Sequence, residues 1–294
     1  MGLINRNLLT IDDLTPDELT GVLDLSRVLK LNKKRNNKKR LTDKNIIFIS
    51  KNMLKWHSLP FVLACREEGA CVETLDALDF PLNTDDFKNY AAGTLGRYFD
   101  LAGISGYTPE ENERLARYSG KPVINYFSGA EQPIHTLADL FTIYEHFGTI
   151  EKLNLCILGG EAGGLAAGAA KAGMNVTAFK HTAGIRETAF SGEFGRFAGE
   201  IRMAASAEDA LAGAHVVYAD MTDINISEII NQYRDISDFT KYTKRDDTII
   251  LSGRSADDTN NFILNALTDK KSYISEQAEN RIFAVKAVVV AALN

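Results

Sequence analysis

The sequence predicts an α/β protein of two domains with parallel sheets, joined by helices. Three observations point there. Short apolar runs of strand length alternate with amphipathic segments of helical period, the pattern of βαβ units. The alternation occurs in two series, with the second starting after a helix that ends at Gly148. The chain has 294 residues, 45% hydrophobic and 24% charged, enough for two separate cores.

Taken in order, "LLTIDDLTPDELTGVLDLSRVLK" offers N-caps at Thr10 and Thr15, the second followed by Pro16 and Glu18, and its apolar residues recur at helical spacing through Leu29. Strand "NIIFIS", helix "LPFVLACREEG" and strand "ACVETL" then form a βαβ unit. "YFDLAGISGY" and "KPVINYFS" read as strands flanking the helix "PEENERLARYSG". "PLNTDDFKNY" reads as an exposed polar loop entering a helix. The amphipathic "TLADLFTIYEHF" stops at Gly148. The second series holds the strand in "KLNLCILGG", the helical "EAGGLAAGAAKAGM", and strands "NVTAF", "HVVYAD" and "DTIILSG". A last helix runs from about Ser275 to Leu293. The expected division is 1–148, 149–274, and a returning helix 275–294. Ligand sites belong at the carboxyl ends of the strands, between the domains.

Charge excludes some function classes. A net charge of −6 and an isoelectric point near 5.5 argue against nucleic-acid binding, which needs a concentrated basic face. The basic run "KLNKKRNNKKR" reads as a solvated loop between helix and strand. Cys65, Cys71 and Cys156 lack metal-ligand spacing and lie in apolar contexts, so all three are expected as reduced core residues. With no signal peptide and no apolar run of spanning length, the expected location is cytoplasmic, away from membranes. "LGGEAGGLAAGAAKAG" stands where a dinucleotide fold has its phosphate loop. Its glycines do not form G-x-G-x-x-G, however, and the next strand ends at Phe179-Lys180 rather than at an acidic residue. Close helix–strand packing accounts for it, and neither a cofactor nor a metal is expected.

Two longer segments carry a resemblance. "QPIHTLADLFTIYEHFG" and "EQAENRIFAVKAVVVAAL" resemble the His-Pro-x-Gln helix and the C-terminal Gln-Ala-Glu-Asn-Arg helix of the aspartate/ornithine carbamoyltransferase superfamily. "LTIDDLTPDEL", "GKPVINYFS", "TLGRYFD" and "AHVVYAD" extend the likeness over nearly the whole chain. The resemblance implies the transcarbamylase fold of two Rossmann-like domains, a small-molecule substrate, and a homotrimer whose sites are completed by a neighbouring loop, here about Leu82 to Lys88.

It also implies where the chemistry has changed. The family's Ser-Thr-Arg-Thr-Arg turn, which holds carbamoyl phosphate, aligns with Leu54, Lys55, Trp56, His57 and Ser58. A third phosphate arginine aligns with Ser105, and His-Pro-x-Gln with Gln132, Pro133, Ile134 and His135. The ornithine enzymes' Asp-x-x-x-Ser-Met-Gly loop keeps Asp220 but continues "MTDINI", and their His-Cys-Leu-Pro aligns with Ser252, Gly253, Arg254 and Ser255. Arg281 survives. The candidate catalytic residues are therefore Lys55, His57 and His135, and the candidate substrate-binding set is Trp56, Ser58, Asn125, Gln132, Asp220, Ser252, Arg254 and Arg281.

Bland roles stand beside these. Trp56 either stacks on a ligand or simply packs; His57 and His135 either share an acid/base role or are solvated. Arg254 meets an anion or makes a surface salt bridge, and Arg281 either meets the ligand or only pins the last helix. His146, His181 and His215 read as structural. Two functions of different class remain open: a transferase with a changed donor or acceptor, acting on an amino acid or acyl-phosphate-type metabolite, or an inactive relative kept for binding or regulation.

Overall fold

The computed structural model describes residues 2–33, 38–51, 58–76, 85–128, 132–159, 162–179, 199–219, 241–253 and 269–294, with backbone alone for 85–89. The chain forms two compact units, one of Met1–Phe141 with Glu279–Asn294, the other of Thr142–Ala278.

The first unit has a parallel sheet of β1 (Asn45–Ser50), β2 (Cys71–Asp76), β3 (Leu101–Ser105) and β4 (Val123–Phe127), in the order β2-β1-β3-β4. Burial follows from that order. Every residue of central β3 is buried, as are the four apolar residues of β1, which explains their unbroken hydrophobic runs. β2 lies at one edge, and only Val72 is fully buried there. Cys71, expected in the core, is exposed, because it opens that edge strand; Cys65 and Cys156 are buried. The other edge is covered by the N-terminal segment, where Leu8 donates to the Val123 carbonyl at 2.9 Å and accepts from Asn125 N at 2.8 Å.

Helices α1 (Pro16–Leu31), α2 (Leu59–Glu67), α3 (Asp85–Tyr98), α4 (Pro109–Ser119) and α5 (Pro133–Phe147) follow in turn. Both Thr-Pro starts make capping boxes. Thr15 N donates to Glu18 Oε2 at 2.9 Å while Glu18 N donates back to Thr15 Oγ1 at 3.3 Å. Thr108 and Glu111 repeat the same pair of bonds at the same lengths. Between sheet and helices, Phe48, Phe61 and Tyr126 meet with centroids 4.9, 5.7 and 6.0 Å apart. Gly103 makes room for this cluster, since a Cβ there would fall 2.3 Å from the Phe61 ring.

The second unit holds β5 (Asn154–Leu158), β6 (Asn175–Phe179), β7 (Ile201–Met203), β8 (Val216–Ala219) and β9 (Ile249–Ser252), all parallel, in the order β7-β6-β5-β8-β9. Helix α6 (Gly163–Lys171) is built largely of Gly and Ala and is buried along most of its length, consistent with close packing. Edge strand β7 and short helix α7 (Ala207–Leu211) were not apparent in the sequence. "IRM" is too short and too exposed to show a period, and five residues make little more than a helical turn.

The last helix, α8 (Ile274–Leu293), begins in the second unit and ends in the first. There it meets α1: Ser26 Oγ lies 3.4 Å from the Phe283 carbonyl and Lys30 Nζ donates to Asn280 Oδ1 at 2.8 Å. No helix among the described residues is long and apolar enough to cross a membrane.

Candidate active site at the carboxyl edge of the first sheet

In parallel sheets, ligands collect where strands end and helices begin. At that edge β1 runs on into Lys51, whose N donates to the Ser105 carbonyl at 2.9 Å. Gly106 follows with φ +80, and a Cβ there would sit 2.3 Å from the Lys51 carbonyl, so only glycine fits. Its N–H donates to the Phe127 carbonyl at 2.7 Å, and the Ser105 hydroxyl donates to the same oxygen at 2.9 Å. Ser105 is thus buried, its hydroxyl directed into the sheet.

Between β3 and β4 the register slips by one residue: Ile104 pairs with Asn125 but Ser105 pairs with Phe127, skipping Tyr126. Such a slip re-aims side chains at a strand end. His135, in the first turn of α5, accordingly lies against two successive rings, 5.4 Å from Tyr126 and 5.3 Å from Phe127. Its Nε2 is shielded from solvent. Gln132 precedes the helix and its carbonyl accepts from Thr136 N at 2.9 Å. Burial pushes the Tyr126 phenol up to about 12, against the opposing charge of Arg281, which places that guanidinium in the field of the same ring. Arg281 Nε is buried without a hydrogen-bond partner among the described residues.

The remaining candidates divide. Ser58 stands at the N-terminal end of α2. Asn125 is buried in β4 with Nδ2 donating to the Leu9 carbonyl at 2.8 Å, so its amide holds the N-terminal segment. Ser252 closes β9 in the second unit, where its N donates to Gln277 Oε1 at 3.0 Å and its carbonyl accepts from Gln277 Nε2 at 3.2 Å. Lys55, Trp56, His57, Asp220 and Arg254 lie outside the described residues. Among the described residues no group of three or more His, Cys, Asp or Glu side chains is placed to hold a metal.

The comparisons with known proteins agree with this architecture. Residues 6–145 match the family described as aspartate/ornithine carbamoyltransferase, carbamoyl-P binding domain. The ornithine carbamoyltransferase of Caldanaerobacter subterraneus subsp. tengcongensis is 30% identical over 99% of both chains. This chain belongs to the aspartate/ornithine carbamoyltransferase family. The ornithine carbamoyltransferase of Thermotoga maritima is 29% identical over 100% of this chain and 99% of its own. The crystal structure of the Gloeobacter violaceus ornithine carbamoyltransferase superposes with a TM-score of 0.84 at 27% identity, covering 99% of each chain. The two parallel sheets are those of the transcarbamylase fold.

Two features beside this candidate site escaped the sequence. Lys51 Nζ lies 3.6 Å from Glu111 Oε1 and 5.8 Å from the Tyr107 ring centroid. Tyr107 is buried, and its hydroxyl has no hydrogen-bond partner among the described residues. Burial, then the charges of Glu111 and Asp76, push its phenol up, so it stays a neutral donor. Both residues flank motifs, Lys51 directly after "NIIFIS" and Tyr107 directly before "TPEE". That adjacency was the available signal.

Proposed function

We propose that this carbamoyltransferase-family chain binds or acts on an amino acid or acyl-phosphate-type metabolite, without ordinary ornithine or aspartate transcarbamylation. Ser105 carries the reading. It aligns with a family arginine that grips the phosphate, and here the position is a buried hydroxyl directed to the Phe127 carbonyl. Together with Trp56 and Ser58, which stand at the two arginine positions of the aligned turn, it replaces three cationic forks by groups that cannot hold a dianion bidentately. Charge-assisted bonds of this kind contribute roughly 1.5–3 kcal/mol each. Losing three removes about 4 kcal/mol or more, on the order of a thousandfold in binding. The family mechanism also needs a polarised carbonyl, and Gln132 stands at the position of the polarising histidine. Lys51, Lys55, His135, Tyr107 and Arg281 supply the donors of the altered site.

A second reading, binding without turnover, has its own support. Asn125 and Gln277 are kept where they tie backbone segments together, and Asn280 accepts from Lys30 Nζ, so motif retention needs no catalysis to explain it. For assembly the proposal is a cytoplasmic homotrimer. Leu59 and Leu63, one helical turn apart on α2, are exposed at 50% and 42%, apolar surface that a neighbouring copy would cover. A phosphate-release assay tests the main reading, using carbamoyl phosphate with ornithine or aspartate, an authentic transcarbamylase as control, and subtraction of spontaneous donor breakdown. The expected rate is about a thousandth of the control or less. Turnover within about tenfold of the control overturns the proposal.

A further inference from the structure

The basic run between α1 and β1 does more than cross solvent. Lys33, Lys38, Lys39 and Arg40 converge with Lys286 of α8, Glu67 and Glu68 at the end of α2, and Leu29 and Asn32 of α1 around a cavity of about 250 Å³. All of these residues belong to the first unit. The floor is built of paired charges. Lys286 Nζ lies 2.6 Å from Glu67 Oε2 and 3.6 Å from Glu68 Oε1, and Arg40 Nη1 lies 2.9 Å from Glu68 Oε2. Lys286 and Glu68 are almost wholly buried, whereas the Arg40 and Glu67 side chains remain 20% and 41% exposed at the cavity. Lys39 Nζ reaches the Glu67 carbonyl at 2.5 Å, and Lys33 Nζ leans over the Phe283 ring, 5.5 Å from its centroid and 3.4 Å from Glu279 Oε1.

Five cations line the cavity against Glu67 and Glu68, with Glu279 beside Lys33 as a third carboxylate, so the lining stays net positive on a chain whose net charge is −6. Like charges held this close repel, and a concave wall concentrates their field at its centre. We infer that this cavity is a binding site for a small phosphorylated anion, one or two phosphate groups in size, held by Lys33, Lys38 and Lys39 above the Arg40–Glu68–Lys286 floor. Size sets the class: drug-sized ligands occupy about 300–1,000 Å³, and this volume falls just below that range. A polynucleotide is disfavoured because the basic surface is a single pocket and not a stripe.

The test is calorimetric titration of inorganic pyrophosphate into the full chain at about 150 mM salt, where exposed charges more than about 8 Å apart are largely screened. Wild type is expected to give saturable one-site binding and a raised melting temperature. The double variant Lys38→Gln/Lys39→Gln changes exposed rim residues and leaves the floor intact. It is expected to weaken binding by about tenfold or more, with the melting temperature of the free protein unchanged. Arg117→Gln/Lys121→Gln removes the same charge from the α4 region and is expected to bind as wild type does. Absence of saturable binding, full affinity in the Lys38/Lys39 variant, or equal weakening in both doubles overturns the inference.

Discussion

Ser105 and Tyr107, two residues apart, show how one side chain's partners decide its use. The Ser105 hydroxyl is engaged by a strand carbonyl, whereas the Tyr107 hydroxyl is buried without a described partner. A buried donor in that state carries a desolvation penalty of roughly 1–3 kcal/mol. Tyr107→Phe is therefore expected to leave the urea midpoint unchanged or raise it. If the phenol meets the ligand, affinity for the metabolite that co-purifies, identified by mass spectrometry, falls by about 0.5–1.5 kcal/mol. A loss of stability instead would assign the hydroxyl a structural partner. Arg281→Ala and Lys55→Ala are each expected to weaken that metabolite by about 1–3 kcal/mol in calorimetry, with little stability change for Lys55. Wild-type affinity in both variants removes them from the site. From the sequence, His135 and Arg281 were legible by motif as candidates; Tyr107 was not, because only the fold shows a hydroxyl deprived of water.

Helix α8 illustrates what an element contributes beyond its residues. Its Gln277 clamps the end of β9, its Asn280 accepts from α1, and its Lys286 is held between Glu67 and Glu68. Removing one member of a buried ion pair costs about 3–5 kcal/mol when it strands the other, but here Glu68 keeps Arg40 at 2.9 Å and the Glu67 side chain is 41% exposed. Lys286→Met is therefore expected to lose less than that, about 1–3 kcal/mol in urea unfolding, and a loss under about 1 kcal/mol would show that Arg40 alone satisfies Glu68. β8 offers a pH dependence. Asn154 N donates to His215 Nδ1 at 3.0 Å, which requires the neutral imidazole. Burial, with the Arg245 charge adding to it and Asp247 opposing, holds the His215 pKa below its ordinary value. Because the unfolded chain then binds the proton more readily, this stabilisation is complete above about pH 6.5, declines below it, and is lost as pH falls through the lower folded-state value. His215→Gln should flatten the decline of melting temperature between about pH 7.5 and 5.5. An unaltered slope would place the titration elsewhere, with His146, which burial also lowers, the next group to replace.

For the molecule as a whole, light scattering is expected to report a trimer at micromolar concentration, and a monomer alone would refute the assembly. Local pattern was enough to determine a large part of this protein. The apolar runs of β1, β3 and β5, the two Thr-Pro capping boxes and the Gly-rich α6 are signals within a few residues of one another, and the two long motifs carried the family. Other features arise from residues far apart in the chain, which no local period encodes. Gly103 is small because Phe61 crosses it, and the slip at Tyr126 brings two adjacent rings against His135. Cys71 is exposed because its strand lies at the sheet edge, while β7 and α7 are too short to carry a period. The basic run read as solvent-facing from its polarity alone. Its described residues Lys33, Lys38 and Lys39 are indeed exposed, but only tertiary structure sets them and Arg40 around one cavity with Lys286, 246 positions beyond Arg40, because charge pairing depends on what the rest of the chain brings alongside.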